Sequence, residues 1–187
     1  KASSSSDSKY TALYAGTSAN DSAILWEDGA LRFYNTTERM RIQSGGGISF
    51  NGDTAAANAL DDYEEGYWTP AFSINSGSVT YTYQNGIYTK IGRQVTLNFW
   101  IQVTGLSTPS GQLNLNLPFT MNSQASRPSS VFRTHNWSGV TGIIGGWVIE
   151  STATARIVTL NDGTVTDTNG TSLAAPCELS GTLTYMT

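Results

Sequence analysis

The sequence has little charge, and what it has is unevenly placed. Only 13% of its 187 residues are Asp, Glu, Lys or Arg, about half the share found in an ordinary soluble domain. The residues up to Gly66 include ten acids and five bases, a net charge of −5, whereas the remainder has five bases and four acids. Because neither part has a basic patch, the composition argues against a nucleic-acid partner.

Cysteine and long apolar runs are also scarce. Cys177 is the single cysteine of the chain, which excludes an intrachain disulfide and a cysteine-based zinc site. No apolar run has the length needed to cross a bilayer, so we expect no membrane insertion. We therefore expect packing and association to stabilise the protein, without a cofactor.

Helix-forming residues are few, whereas Gly, Thr, Ser and Asn are abundant, with 19 glycines alone. This composition predicts an all-β protein. The first part shows only short β-like segments, at 10–15, 23–26, 31–34, 40–43 and 47–50. Asp28-Gly29 between two of them is a hairpin-turn signal. Strands this short do not enclose a core on their own.

The apolar residues of this first part would therefore stand half in water in a single chain. Several copies around a common axis would cover them, which favours a homo-oligomer. We expect six side chains to form contacts between copies, namely Trp26, Phe33, Met40, Ile42, Tyr63 and Trp68.

The second part alternates strongly between apolar and polar residues. In the segment 94–104, five apolar side chains from Val95 to Val103 occupy every second position, which predicts one buried strand face. Asn85-Gly86 is typical of a turn between two further strands. Seven or eight such segments, separated by Gly, Asn, Asp and Pro, predict a β-sandwich with a jelly-roll-like arrangement over residues 71–187.

These patterns divide the chain into four parts. We expect a disordered Ser-rich tail at 1–9, a stalk of short intertwined strands at 10–58, a neck at 59–70 and the β-sandwich head at 71–187. The segment 55–60 has the only helical bias, and we expect at most a turn or two of helix there.

Four motifs resemble segments of bacteriophage tail fibres. Thr37-Glu38-Arg39-Met40-Arg41-Ile42 before a Gly-rich turn resembles a shaft segment, and the stretch from Leu60 to Pro70, LDDYEEGYWTP, resembles the junction that opens the terminal domain. The run from Gly86 to Val95, GIYTKIGRQV, and the run from Leu115 to Phe119, LNLPF, resemble strands of that domain. The resemblance implies a parallel homotrimer at the distal end of a virion tail fibre, whose head binds a host cell-surface receptor.

A glycan receptor is favoured by aromatic residues with polar neighbours. Flat rings cover the apolar C–H faces of sugars, and amide or guanidinium groups beside them bind hydroxyls. The Gly-flanked stretch from Arg133 to Gly139 offers such a set, and Trp147 is a second aromatic candidate. The predicted receptor contacts are Trp137, His135, Asn136, Arg133 and Trp147. Trp68 and Trp100 are assigned to packing.

Metal binding has weaker support. His135, the only histidine, would lie near its copies on a trimer axis and give three ligands, or it forms a local hydrogen bond in a loop. Asp61 and Asp62 belong to an acidic cluster that offers oxygen ligands to calcium. That cluster would equally form ion pairs with arginines of a neighbouring copy, so we expect no metal.

An enzyme is a less favoured alternative. Glycoside hydrolysis needs two carboxylates beside the sugar, and the head has only Glu150, Asp162, Asp167 and Glu178. Asp162-Gly163 and the segment after Asp167 have turn chemistry. We expect a receptor-binding protein that is not an enzyme; the alternatives are a glycan-degrading tailspike and a purely structural trimerisation cap.

Overall fold

The computed structural model describes residues 2–3, 10–15, 22–123 and 127–187, and its regular structure is almost entirely antiparallel β-strand. The prediction of an all-β fold is confirmed. The described part has two short 3₁₀ turns, Ala56–Asn58 and Gly170–Ser172, the first of which lies where the helical bias predicted one. No helix among the described residues has the length and apolar character to cross a membrane.

The chain divides into two compact units, Lys1–Tyr63 and Glu64–Thr187. The division falls inside the segment predicted as a neck, 59–70. The predicted tail, 1–9, lies outside the described residues except for a two-residue strand at its start. We refer to the second unit as the head.

The first unit is a six-stranded sheet in which every strand pairs with its neighbours in sequence order. Its strands are β1 (Ala2–Ser3), β2 (Tyr10–Ala15), β3 (Ser22–Glu27), β4 (Ala30–Asn35), β5 (Thr37–Ile42) and β6 (Ile48–Phe50). Asp28 and Gly29 join β3 to β4 with φ of 50° and 75°, as a two-residue hairpin turn requires. That predicted turn is confirmed. All of this pairing lies within one chain, and the intertwining of copies stays a prediction.

One face of this sheet carries two apolar rows. The registers place side chains in two rows across the strands, because directly paired residues point to the same side. We call these ten residues the apolar face; they are Leu13, Ile24, Phe33, Met40 and Phe50 in one row and Trp26, Leu31, Ile42, Ile48 and Leu60 in the other. Trp26 is 55% exposed and Phe50 is 54% exposed, so this face has no cover within the unit.

The opposite face carries the charge. Arg32 forms an ion pair with Glu27 at 2.9 Å, and Arg41 donates two hydrogen bonds to Glu38. Arg41 and Glu38 are mostly buried, and their hydrogen bonds raise the pKa of the Arg41 guanidinium. This face also carries apolar side chains, because Leu25 pairs with Arg32 and Ala30 pairs with Glu27. The two faces therefore differ in charge: the ion pairs of Arg32 and Arg41 lie on one side of the sheet and the apolar face lies on the other.

The head is built from two antiparallel sheets. The first has the strand order β13-β17-β10-β9-β7, and the second has the order β12-β14-β15-β11-β8 with β16 paired to β15. The strands are β7 (Tyr63–Trp68), β8 (Phe72–Ser73), β9 (Ser76–Ile91), β10 (Gln94–Ser110), β11 (Asn114–Asn116), β12 (Ser129–Val131), β13 (Arg133–Trp137), β14 (Ile143–Val148), β15 (Thr154–Asn161), β16 (Thr164–Asp167) and β17 (Leu173–Met186). We call the sheet that contains β10 the first head sheet and the sheet that contains β15 the second head sheet.

Alternation along the long strands creates the core of the head. The predicted inward residues of β10 are confirmed, since Val95, Leu97, Ile101 and Val103 have no exposed surface and Phe99 is 5% exposed. They pack in one cluster with side chains from β17 and from the second head sheet, including Leu179, Leu183, Ile144, Val148 and Ile157. A sandwich of two sheets around one core follows.

The turn predicted at Asn85-Gly86 is wrong. Both residues lie inside β9, which runs without a break to Ile91, and the chain reverses at Gly92-Arg93 instead. Gly86 serves packing here, because the indole of Trp68 covers it: a Cβ atom on Gly86 would lie 2.3 Å from the indole Nε1. A turn signal and a packing requirement therefore look alike in the sequence.

Candidate functional site

The outer face of the first head sheet combines exposed rings with polar side chains. Since the inward residues of β10 are apolar, the alternate residues point outward, and the registers with β9, β17 and β13 align them in rows. One row holds Arg133, Ser180, Trp100 and Asn85; the next holds His135, Glu178, Gln102 and Tyr83; a third holds Thr182, Asn98 and Ile87. We call these eleven residues the platform.

An aromatic pair lies on the platform. The ring centroids of Tyr83 and Trp100 are 4.4 Å apart with planes at 47°, and about two fifths of each residue is exposed. Asn85 donates a hydrogen bond from Nδ2 to the Tyr83 hydroxyl at 3.0 Å, which fixes the orientation of that ring. These rings are the main apolar surface on an otherwise polar face. A ligand that covers them therefore gains binding free energy from their burial.

The polar groups around the pair are ordered by one another. Thr182 donates to Asn98 Oδ1 at 2.7 Å, and Arg133 donates to Glu178 at 2.9 Å. Because Arg133 and Glu178 neutralise each other, the platform offers amides and hydroxyls rather than net charge. Such groups pair with sugar hydroxyls while the rings cover C–H surface, so the arrangement suits a carbohydrate.

The structure separates the residues of the predicted receptor site. Arg133 and His135 lie on the platform, whereas the Trp137 ring packs against Phe72 with centroids 6.1 Å apart. Trp137 also donates its indole N–H to the carbonyl oxygen of Glu178 at 2.8 Å. These contacts give Trp137 a packing function, although its role in receptor binding stays an untested prediction.

Asn136 has a structural function as well. Its φ is 57°, in a conformation that asparagine tolerates better than most residues. Its Nδ2 donates to the carbonyl oxygens of Ala174 and Pro176 at 3.3 and 2.6 Å. Asn136 therefore fastens the irregular end of β13 to β17, where the register between these strands shifts.

Trp147 lies on the second head sheet, in an apolar groove of about 620 Å³. The guanidinium carbon of Arg127 is 4.6 Å from the Trp147 ring centroid and that of Arg156 is 5.7 Å away. We call this concavity the groove; its lining is Arg127, Ser129, Ser130, Val131, Gly145, Gly146, Trp147, Val158, Leu160 and Val165. Trp147 and Trp137 thus belong to different sheets.

The remaining predicted contacts between copies fall into two environments. Trp26, Phe33, Met40 and Ile42 share the apolar face of the first unit, as described above. Tyr63 is an exposed residue of β7. Trp68 is half-buried and packs edge-on against Phe99, with ring centroids 6.2 Å apart, so much of its surface is used within the head.

The acidic residues of the head are largely engaged in ion pairs. Glu178 pairs with Arg133, Glu150 with Arg127 at 3.3 Å, and Asp167 with Arg156 at 3.3 Å. Asp162 has φ of 46° and precedes Gly163 in the turn between β15 and β16, as its turn chemistry predicted. Among the described residues, no three His, Cys, Asp or Glu side chains come together in a group suited to a metal.

Cys177 is a core residue. Its side chain is buried on β17, and burial raises the pKa of the thiol above its ordinary value. A thiol held neutral in apolar surroundings is a poor nucleophile, so Cys177 contributes packing.

Sequence reasoning missed Tyr83 and Trp100. The signal was present in the alternation itself: if Phe99 and Ile101 point inward, Trp100 between them points outward. Trp100 is assigned to packing from the sequence, and the residue does pack against Tyr83. Two fifths of Trp100 is also exposed, and this exposed part is what was not predicted from the sequence.

No protein-family model matches the chain, and no curated protein matches it. The solved structure of the Dettilon tailspike protein (gp208) is similar, with a TM-score of 0.54 and 21% sequence identity. The match covers 65% of this chain and 23% of that chain, so the chain spans about a quarter of the tailspike it resembles. At this identity the likeness concerns the fold: over about two thirds of its length, the chain shares the fold of part of a phage tailspike protein.

Proposed function

We propose that this chain is a distal part of a phage tail fibre and that its head binds a glycan on the host cell surface during adsorption. The observation that carries the proposal is the pair of exposed rings, Tyr83 and Trp100, within a face of ordered amides and hydroxyls. The shared fold with a tailspike protein and the resemblance of four sequence motifs to tail fibres support the same assignment.

Binding at one platform is weak on physical grounds. An open face buries less of a ligand than a deep pocket does, so little free energy remains after the cost of ordering the partners. Several linked copies raise the effective affinity by orders of magnitude without any new contact. A multivalent adhesin therefore needs no deep site in each head.

Assembly of a parallel homotrimer through the apolar face supplies that multivalency. Ten apolar side chains share one side of the first sheet, and six of them are more than a third exposed, as in a surface that binds a partner. Two further copies would cover it with equivalent apolar rows, and the ion pairs on the opposite face would remain at the outside. The support for this arrangement is that the ion pairs lie on one side of the sheet and the exposed rows of large apolar side chains lie on the other.

Binding of the fluorescently labelled chain to a panel of bacterial cells and their purified envelope polysaccharides tests the function. We expect binding on the proper host and its loss with Trp100→Ala, because the ring contact disappears. Trp147→Ala is the matched comparison, since it removes the other predicted aromatic contact from the other sheet. Loss of binding in Trp147→Ala but not in Trp100→Ala would place the receptor site in the groove. Equal binding by the Trp100→Ala variant contradicts the platform as the receptor site.

The apolar face also favours a second candidate function, a structural trimerisation cap with no receptor of its own. Absence of binding to every host and polysaccharide in the panel, with an intact trimer in solution, would support the cap. We propose that the chain binds its glycan without degrading it. Release of new reducing ends from a bound polysaccharide would contradict this proposal.

A further inference from the structure

A second concavity of the head lies behind the hairpin formed by β15 and β16. It has a volume of about 430 Å³ and opens between this hairpin and the connection from β13 to β14. We call it the cleft; its lining is Gly139, Val140, Thr141, Thr159, Asn161, Thr164, Thr166, Asp167, Thr168, Asn169 and Ser172. It shares no residue with the platform or the groove.

The strand register explains why the cleft is polar and the groove is apolar. Thr159 pairs with Thr166 and Asn161 pairs with Thr164, so these four side chains point to one side of the hairpin. Leu160 pairs with Val165 on the other side, where both line the groove. One hairpin therefore presents hydroxyl and amide groups to the cleft and apolar groups to the groove.

The chemistry of the lining is unusually uniform. Eight of its eleven residues carry a hydroxyl or an amide, and Asp167 is the only ionisable one. Threonine hydroxyls both donate and accept hydrogen bonds, and their methyl groups offer apolar contact beside each hydroxyl. This combination mirrors the surface of a sugar, where hydroxyls alternate with C–H groups.

The walls of the cleft are held in place without a ligand. The Thr159 and Thr168 hydroxyls are 2.9 Å apart, and Asn161 donates to the Thr141 hydroxyl at 3.1 Å. Gly142 allows the connection to approach β15 closely, because a Cβ atom there would lie 2.1 Å from the Leu160 carbonyl oxygen. A preformed site loses less free energy in ordering itself when it binds.

Other ligand classes fit this lining poorly. A phosphate or carboxylate would find no cation among the lining residues. The Asp167 carboxylate lies on the groove side of the hairpin, because Asp167 pairs with Val158, and it forms an ion pair with Arg156 at 3.3 Å there. A divalent cation would find no carboxylate on the cleft side of the hairpin, and the described residues have no group of three acidic, His or Cys side chains. A lipid chain would meet only Val140 as a larger apolar side chain. An uncharged polyhydroxyl ligand remains.

We infer that the cleft is a second saccharide-binding subsite of the head, for an uncharged sugar residue. The inference rests on the proposed glycan-binding function, but on residues separate from the platform. Thr164 and Thr166 line one wall of the cleft. The Thr164 hydroxyl offers a donor and an acceptor to a sugar, and the Thr166 hydroxyl, which donates to the Thr159 carbonyl oxygen at 3.5 Å, offers an acceptor.

Methyl NMR of the full chain, labelled at threonine, tests this with three free sugars: N-acetylglucosamine, galactose and glucuronic acid. We expect one of the two uncharged sugars to shift the Thr164 and Thr166 methyl signals, in the unaltered chain and equally in Trp100→Ala. The double variant Thr164→Val and Thr166→Val removes two hydroxyls at nearly constant shape, and we expect about tenfold weaker binding at the cleft. Its binding is followed at the methyl signals of Thr141, Thr159 and Thr168, which also line the cleft. Thr164→Ser keeps a hydroxyl and should retain affinity within about twofold.

The two proposals fail in different ways. Sugars that perturb the Trp100 indole signal but none of the cleft methyl signals overturn the subsite and leave the platform standing. Cleft shifts that persist when Trp100→Ala no longer binds cells support the subsite as an independent element. Binding of glucuronic acid at the cleft as tight as that of the uncharged sugars overturns the assignment to an uncharged residue.

Discussion

The first unit and the head follow the same alternating pattern but bury very different amounts of apolar surface. Among the described residues of the first unit, the only buried hydrophobic side chains are Ala23 and Ala30, whereas the head buries twenty-one. The head has two sheets and packs one inner face against the other. The first unit has one sheet, so its inward-pointing residues meet no second layer. Alternation thus defines a face, and only a second layer turns that face into a core.

The same difference applies to charge. In the first unit Arg32, Glu38 and Arg41 gather on one side of the sheet as a network, whereas the ion pairs of the head are single and more exposed. A network that marks the outer side leaves the apolar face as the side available for association. The effect of a substitution on the apolar face should therefore depend on protein concentration, whereas the effect of a substitution in the core of the head should not.

Phe132→Ala should have the largest effect. The ring of Phe132 fills the space left by Gly146 and Gly181, where a Cβ atom would come within 2.5 Å of it, and it packs edge-on against Phe99. We expect a loss of about 3–5 kcal/mol in the unfolding free energy of the head, measured by chemical denaturation. Val131→Ala, at the adjacent residue with 62% exposure, is the control and should change stability little. An effect that varies with protein concentration would show that Phe132 acts through association instead.

Trp26→Ser should have the next largest effect, and it should act on assembly. About half of the Trp26 side chain is exposed in the single chain. If other copies cover this surface, the substitution removes about 2–3 kcal/mol of association free energy per chain. We expect sedimentation to show a concentration-dependent shift from trimer towards monomer. Thr54→Ser, at an exposed position outside the apolar face, is the control. A single species of one chain for the unaltered protein would contradict the trimer.

Tyr185→Phe should have the smallest effect at neutral pH. The Tyr185 hydroxyl donates to the Phe119 carbonyl oxygen at 2.9 Å and accepts from the Phe119 N–H at 3.2 Å, so its removal should cost about 1–2 kcal/mol. Burial raises the pKa of Tyr185 to about 12. Since the folded-state pKa lies above the unfolded value, this stability is complete below about pH 10 and is lost as pH rises through about 12.

The variant should therefore lose less of its stability than the unaltered protein between pH 9 and pH 12, although it starts lower. Tyr81 also has a raised pKa through burial, so part of the alkaline loss will remain. Denaturation curves at several pH values measure this, with Tyr67→Phe at a highly exposed position as the control. If the unfolding free energies of Tyr185→Phe and of the unaltered protein fall in parallel with pH, Tyr185 is not the source of the alkaline loss of stability.

The strand content and the inward face of β10 were predictable because both depend on local periodicity. Val95 to Val103 alternate without interruption, and no tertiary contact is needed to recognise them. The hairpin at Asp28-Gly29 was predictable for a similar reason, since only a few residues adopt the required positive φ easily.

The candidate site was less accessible from the sequence. Asn85-Gly86 has the composition of a two-residue hairpin turn. Gly86 is instead required because the indole of Trp68, 18 positions away in the sequence, lies directly over it. Trp137 looks like a loop residue until β17 provides Glu178 as its partner. The platform and the cleft both depend on which strands pair, and pairing between distant segments leaves no local signal.

The platform lies on alternate residues of core strands, so its surface can change separately from the core. Asn98, Trp100 and Gln102 point outward between the buried residues Leu97, Phe99, Ile101 and Val103. Substitutions at the outward positions leave the interior volume unchanged, so recognition can be altered one side chain at a time at little cost in folding. Under the proposed function, a modified receptor would thus be followed by point mutation, without redesigning the scaffold.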